Sequence, residues 1–168
     1  VPIIEMADPA RNLLTFIIVV EVHVLDALRH RELSFQRIRA GLELFQQSVH
    51  SSAHSGNPLV MKHPLAMLDF GGIGRQMLVS SMGNIANLSR GCQLEISQIL
   101  DAYLHRIDRD EDNLPIRLCP FPSKHLTLLD EHRPVALAPQ VAFGRLVVEG
   151  TRIPVEMLVQ RNRGGDSI

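Results

Sequence analysis

The sequence has few cysteines, and neither lies at a spacing that binds metal. Cys92 and Cys119 each stand alone, with no second cysteine three residues away. Zinc knuckles and redox CxxC motifs need such pairs, so the sequence excludes both. We predict two free thiols, as is usual in a reducing cytoplasm.

Long apolar runs and an excess of positive charge are also missing. The apolar run from Leu13 to Leu25 is too short to span a membrane, and Glu21 and His23 interrupt it. No signal peptide is recognisable, because a positive segment ahead of an apolar one is lacking. The net charge of -1 gives no overall basic footprint for nucleic acid. We therefore predict a cytoplasmic protein that does not contact membranes.

Lysine is scarce, since only Lys62 and Lys124 occur among the 17 basic residues. Arginine binds phosphate or carboxylate through two parallel hydrogen bonds, so an arginine-rich chain suits recognition of either group. A coding bias explains the same excess, and the composition alone therefore assigns no ligand.

Catalytic motifs are absent, and the candidate metal ligands fit solvated positions better. No G-x-S-x-G sequence occurs, and no cysteine and histidine form a recognisable catalytic motif. His50 and His54 have the helical spacing of zinc ligands, but no third ligand lies nearby. A run of acidic residues lacks the glycine pattern of a calcium loop, and we interpret it as a solvated helix end: Asp108, Asp110, Glu111 and Asp112. We predict no enzyme activity, no cofactor and no metal.

The first fifty residues have a helical pattern. With 168 residues, 45% of them apolar, the chain can form one domain or two or three small modules. Asp8 and Pro9 are typical of a helix start, and we predict a mostly buried helix over residues 9–30. The alternation from Val20 to Val24 is a strand pattern, which leaves this prediction ambiguous. Ser34 caps a second predicted helix, whose apolar face is formed by Ile38, Leu42, Phe45 and Val49.

The middle of the chain predicts a linker, a β-hairpin and a helix. Residues 50–62 are rich in small and polar side chains, and the segment His63 to Leu65 is expected to open a β region. Residues 77–80 and 85–88 are separated by Gly83-Asn84, which predicts a hairpin. A helix over residues 93–107 follows. Its apolar seam is either a core face or a dimer surface: Ile96, Leu100, Tyr103 and Ile107.

The last third predicts short strands and a final helix. Residues 116–119, 134–138 and 145–148 are strand candidates, Gly150 supplies a turn, and Pro154 suits the first position of a helix that ends near Gly164. Because Asp166 and Ser167 resemble another helix cap and the first residue is valine, we expect a chain without its natural ends. The predicted fold class is α+β, mainly helical with short β-hairpins.

The closing segment resembles the C-terminal module of VapB-type antitoxins, whose pattern is G-R-x-V-x-x-G-T-R-I-P-V. The matching residues are Gly144, Arg145, Val147 and the run Gly150 to Val155, with Gly165 to Ile168 near the end. The resemblance implies a helix-turn-helix-like module whose later helices follow Ile168.

Two upstream segments are similar to parts of the longer antitoxins of this kind. The segment from Asn87 resembles their middle region, and residues 13–45 resemble the later helices of a MerR-like winged helix. The resemblance implies three segments. They are a winged-helix-like hairpin over residues 1–50 whose recognition helix lies upstream, a β-hairpin with a helix over 63–122, and a truncated antitoxin-family module over 133–168.

This resemblance implies the antitoxin of a type II toxin–antitoxin pair. The implied partners are a PIN-domain ribonuclease toxin, whose acidic site uses a divalent metal, and operator DNA bound by a homodimer. An arginine that pairs with the toxin's carboxylates is typical of such antitoxins, and the candidates for this toxin-binding role are Arg152, Arg161 and Arg163.

A basic cluster near the first hairpin supplies candidates for DNA contact. Phosphate binding needs only a positive patch, so a solvated face explains the cluster equally well. Its arginines are Arg29, Arg31, Arg37 and Arg39. A transcriptional regulator without a toxin partner, and a metal-dependent enzyme, are the alternative hypotheses.

Overall fold

A computed structural model of the chain divides it into two compact units, residues 1–105 and 106–168. This boundary differs from the three segments predicted from the sequence. The residues that the structure describes are 4, 14–29, 33–50, 59, 62–68, 73–121 and 132–165.

The first unit is helical in its described part. Helix α1 packs against α4, α2 packs against α3, and α3 packs against α4. Their bounds are α1 Phe16–Arg29, α2 Phe35–His50, α3 Ile73–Ala86 and α4 Arg90–Leu104.

Helix α1 settles the ambiguity between helix and strand. Val20, Val24 and Leu28 are completely buried, and their spacing of four residues places them on one helical face. An alternating strand would instead have exposed every second residue of this apolar segment. The predicted mostly buried helix is therefore confirmed over Phe16–Arg29.

Helix α2 begins and packs as the sequence predicts. The Ser34 hydroxyl accepts a hydrogen bond from the Arg37 N–H at 3.3 Å, which caps the first turn. Ile38, Leu42 and Phe45 are buried, whereas the Val49 side chain lies outside the described residues. Gly41 lies against Met82 of α3, where a β-carbon would clash with the methionine sulfur.

The predicted β-hairpin at residues 77–88 is wrong, because this segment belongs to helix α3. Leu78, Val79 and Met82 are buried at helical spacing, and this burial outweighs the turn preference of Gly83-Asn84. Gly83 instead lies beside the Gln93 side chain of α4. The β region expected from His63 is also wrong, since residues 64–67 form a turn whose side chains are buried.

Helix α4 contains most of the predicted apolar seam. The Ser89 hydroxyl accepts a hydrogen bond from the Cys92 N–H and caps the helix. Ile96, Leu100 and Tyr103 are buried within the chain, so the seam is a core face. The helix ends at Leu104, and Ile107 lies in the first strand.

The second unit contains two small antiparallel sheets. Leu118 and Leu137 exchange two backbone hydrogen bonds, of 2.9 and 2.8 Å, which connect the sheets. Strand β1 pairs with β2, and β3 pairs with β4. The bounds are β1 Ile107–Arg109, β2 Pro115–Leu118, β3 Val135–Ala136 and β4 Val147–Val148, with a 3₁₀ turn at Ala142–Gly144 and helix α5 at Val155–Arg163.

The fold is thus α+β and mainly helical, as predicted. The winged-helix and helix-turn-helix likenesses stay predictions, because α5 is the single α-helix in the described part of residues 133–168. None of the described helices has the length and apolar character needed to cross a membrane.

Candidate functional site

A hydrogen-bonded turn connects strand β4 to helix α5. Gly150 has a φ of 73°, a left-handed value that suits glycine. The Thr151 hydroxyl donates to the Val148 carbonyl at 2.9 Å and accepts from the Ile153 N–H at 3.0 Å. These bonds fix the turn and leave the Arg152 side chain exposed.

Helix α5 buries none of its side chains within the chain. Pro154 is its N-cap residue, so the helix begins at Val155, one residue later than predicted, and Gly165 has the left-handed φ of a helix end. Met157 and Val159 are exposed by 49% and 42% of their surface, although both are apolar. The helix therefore presents apolar surface with no partner in the described part of the chain.

The three predicted toxin-binding arginines are all exposed. Arg152 lies in the turn, and Arg161 and Arg163 lie in the last turn of α5, where positive charge interacts favourably with the helix dipole. Within the described residues, none of them forms an ion pair. We call Arg152, Met157, Val159, Arg161 and Arg163 together the α5 surface.

The four predicted DNA-binding arginines do not share one environment. Arg29 donates to the Leu33 carbonyl and lies 4.5 Å over the Phe35 ring, so it holds the connection between α1 and α2. Arg37 is exposed and Arg39 is half-buried. Because Arg37 and Arg39 are two residues apart on a helix, their side chains point to different sides. Arg31 lies outside the described residues.

An ion-pair network joins the sheets of the second unit. Arg117 of β2 donates to Asp108 of β1 at 3.2 Å and also to Glu149, which follows β4. Arg133 approaches the same aspartate at 3.6 Å. The hydrogen bond to Glu149 is the main reason that the pKa of Arg117 is raised.

The predicted acidic run is therefore structural where it is described. Asp108 belongs to that network, and Asp110 accepts hydrogen bonds from the Asp112 and Leu114 N–H groups, which close the loop between β1 and β2. No group of three or more histidine, cysteine or acidic side chains capable of holding a metal exists among the described residues. The run begins within strand β1 and continues into the loop after it, so its interpretation as a helix end is wrong.

A cavity of about 490 Å³ lies beside the turn that carries Arg152. Its apolar walls come from Ala136, Ala138, Val141 and Val147, and its polar lining includes Arg117, Glu149 and Arg152. This cavity was not predictable from the sequence, because its lining comes from segments that are separated along the chain.

The turn after Val141 has an unusual backbone. Ala142, Phe143 and Gly144 have φ values of 47°, 57° and 75°, all in the left-handed region. Phe143 is fully exposed. Left-handed conformations cost roughly 1–2 kcal/mol for each residue with a β-carbon, so this turn presents an aromatic ring at an energetic cost.

Sequence reasoning also missed two buried polar contacts in the first unit. Glu21 of α1 is 3% exposed, and its carboxylate lies 3.0 Å from His63 Nδ1. Burial raises the pKa of Glu21, while His63 and the N–H groups of Leu65 and Ala66 oppose that shift. The polar interruption of an otherwise apolar helix was the available signal, because a buried charge needs a partner.

The second buried contact involves the only tyrosine. Tyr103 donates to Asp26 at 3.0 Å, and His23 lies 3.0 Å from the Tyr103 carbonyl. Burial is the main reason that the pKa of the Tyr103 hydroxyl is raised, and the hydrogen bond to Asp26 is the second. Burial likewise raises the pKa of the Cys119 thiol, whereas Cys92 is exposed, and both thiols are free as predicted.

Comparisons with known proteins bear on the second unit and on the fold. Residues 135–168 match the model of a family described as "Protein of unknown function (DUF433)". No curated protein matches the sequence. The chain is similar to the X-ray crystal structure of Rv2018 from Mycobacterium tuberculosis, with a TM-score of 0.59 and 21% identity over 92% of this chain and 69% of that chain. At this level of identity, the similarity shows a shared fold alone.

Proposed function

We propose that this protein is the antitoxin of a type II toxin–antitoxin pair. In this role it neutralises a PIN-domain ribonuclease through the C-terminal module and represses its own operon by binding DNA as a homodimer. The observation that carries the proposal is the α5 surface, where three arginines without ion pairs in the described chain accompany exposed apolar side chains. The resemblance of Gly144 to Val155 to antitoxin modules supports the same role.

The α5 surface comprises two exposed helix faces, and each has the chemistry of a protein-binding surface. Met157 and Arg161 are four residues apart and lie on one face of the helix, as do Val159 and Arg163 on another. Arginine and methionine are enriched at protein interfaces, where an apolar centre is sealed from water. An arginine beside an apolar contact can pair with a toxin carboxylate through two parallel hydrogen bonds.

Co-expression with the product of the adjacent reading frame tests the proposal. We expect a stable complex that co-purifies and lacks the ribonuclease activity of the free toxin. Arg152→Glu and Arg161→Glu should each raise the Kd by roughly 30-fold, as a contact residue worth about 2 kcal/mol does.

Arg90→Glu is the matched control, because Arg90 is exposed on α4 and lies in the other unit. It should leave the Kd within about threefold of the wild type. Absence of any complex, with both proteins folded, would remove the toxin-binding role.

The DNA-binding role is assigned to Arg29, Arg31, Arg37 and Arg39. Arg37 is the most testable of the four, since it is exposed and its side chain forms no hydrogen bond or ion pair within the described chain, whereas Arg29 holds the α1–α2 connection. Arg37→Gln should weaken operator binding and reduce its salt dependence by about one phosphate contact. The buried seam of α4 leaves any dimer contact to other surfaces.

A transcriptional regulator without a toxin partner is the second candidate. The basic residues around the first hairpin favour it, because they are separate from the α5 surface in sequence and in unit. It predicts salt-dependent operator binding, no complex with the adjacent gene product and no inhibition of a ribonuclease.

A further inference from the structure

The cavity beside the β4–α5 turn has the size and walls of a binding site. Its volume of about 490 Å³ lies within the range of ligand sites, and it is open to solvent. Ala136, Ala138, Val141 and Val147 supply small apolar walls that leave room for one further side chain. All of them belong to the second unit.

The uncompensated charge at this cavity is positive. Its lining contains two arginines and one glutamate, Arg117, Arg152 and Glu149. Arg117 already binds Glu149 and Asp108, so its charge is neutralised within the chain. Arg152 is exposed and has no ion pair in the described residues. An incoming carboxylate would therefore pair with Arg152.

The strained turn lies next to this cavity. Val141, a wall residue, directly precedes the left-handed residues Ala142 and Phe143. Strained backbone at such a position is typical of ligand clamps, where the surrounding structure maintains it. The exposed Phe143 ring adds apolar contact surface for a bound chain.

We propose that this cavity receives an acidic segment of the partner protein, with an apolar side chain between the walls and a neighbouring carboxylate on Arg152. The inference rests on the proposed function, because the segment is assigned to the toxin. A protein is favoured over nucleic acid at this cavity, since a polyanion needs several free cations along its path, whereas the cavity lining has one.

Amide NMR of the full chain tests the cavity with a defined probe. The probe is the blocked pentapeptide acetyl-Gly-Leu-Asp-Leu-Gly-amide, and its matched control carries Asn in place of Asp. We expect the Asp peptide to shift the amides of Ala136, Ala138, Gly150 and Arg152. The Asn peptide should bind roughly tenfold more weakly, because it loses the charge-assisted bond.

Two pairs of variants separate binding from folding. Val141→Trp fills the cavity and should abolish the peptide shifts, whereas Leu94→Trp, at an exposed position of α4, should not. Arg152→Gln should weaken binding of the Asp peptide by roughly tenfold, and Arg90→Gln on α4 should have no effect. A dispersed amide spectrum confirms that each variant is folded.

Three outcomes would overturn the inference. They are equal binding of both peptides, undiminished binding by folded Val141→Trp, and the same amide shifts with a thymidine decamer. Co-purification of the toxin separates the two proposals. A complex that forms although the peptide shows no specific effect overturns the cavity alone, whereas peptide binding without any complex overturns the toxin assignment.

Discussion

Helix α1 has seven buried residues among its 14, whereas helix α5 has none among its nine. Even the buried acidic residue of α1, Glu21, has partners inside the first unit, in His63 and two backbone N–H groups. The arginines of α5 have found none within the described chain. One helix therefore uses its side chains for stability, and the other leaves them available for contact.

A helix as short as α5 is not stable on its own, because the cost of starting a helix exceeds what nine residues return. It is held at its beginning, where Val147 and Pro154 form a β-bridge and the Val155 N–H donates to the Leu146 carbonyl at 2.9 Å. This attachment fixes the position of the helix without burying it. Backbone hydrogen bonds of the turn therefore hold α5 in place, and the α5 side chains stay exposed.

The largest expected difference is between truncating an apolar side chain of α1 and truncating one of α5. Leu28→Ala removes a completely buried side chain from α1 and should lower the free energy of unfolding by about 2–5 kcal/mol. Val159→Ala on α5 should change it by no more than about 0.5 kcal/mol. Urea unfolding of both variants measures the difference. Similar losses would contradict the division of roles.

Removing the buried carboxylate should have the next largest effect. Glu21→Ala leaves the N–H groups of Leu65 and Ala66 and the His63 side chain without an acceptor, at a cost of about 1–3 kcal/mol. Glu43→Ala is the control, because Glu43 is exposed on α2. If both variants unfold at the same urea concentration, the buried contact contributes nothing.

The same carboxylate should also make stability depend on pH. Its folded-state pKa is raised above 4.5, so the folded state binds the proton more tightly than the unfolded state does. Its contribution is most favourable below pH 4.5 and is lost as the pH rises through the raised folded-state pKa. Relative to Glu21→Gln, the wild type should therefore lose stability across that interval in unfolding experiments. A constant difference would contradict the raised pKa of Glu21.

Local signals predicted the parts of this fold that local physics decides. Ser34 caps a helix where the sequence predicted it, and Gly150 occupies a left-handed turn. The prediction of a hairpin at residues 77–88 was wrong because it relied on Gly83-Asn84, a strong local turn signal. Burial of Leu78 and Met82 against neighbouring helices decided the structure instead, and a sequence does not display such distant contacts.

In the candidate site, too, local features were predictable from the sequence and contacts between distant segments were not. The exposure of Arg152 follows from its position in a turn, so the motif alone was sufficient to select it. The cavity beside it combines Ala136, Val147 and Arg117, which come from three strands. The contact between Glu21 and His63 likewise spans 42 residues of sequence. Both depend on how distant segments pack together.

The smallest expected effect concerns the strained turn, and its sign is opposite to the others. Phe143 has φ and ψ of 57° and 37°, a region that asparagine tolerates better than phenylalanine. Because the Phe143 ring is fully exposed, Phe143→Asn should raise the free energy of unfolding by about 0.5–1 kcal/mol. Phe35→Asn is the control, since Phe35 is half-exposed but lies in helix α2 beneath the Arg29 guanidinium, and it should lose stability. A loss of stability in Phe143→Asn would mean that the ring contributes to the fold, and the turn would then no longer resemble the free surface of α5.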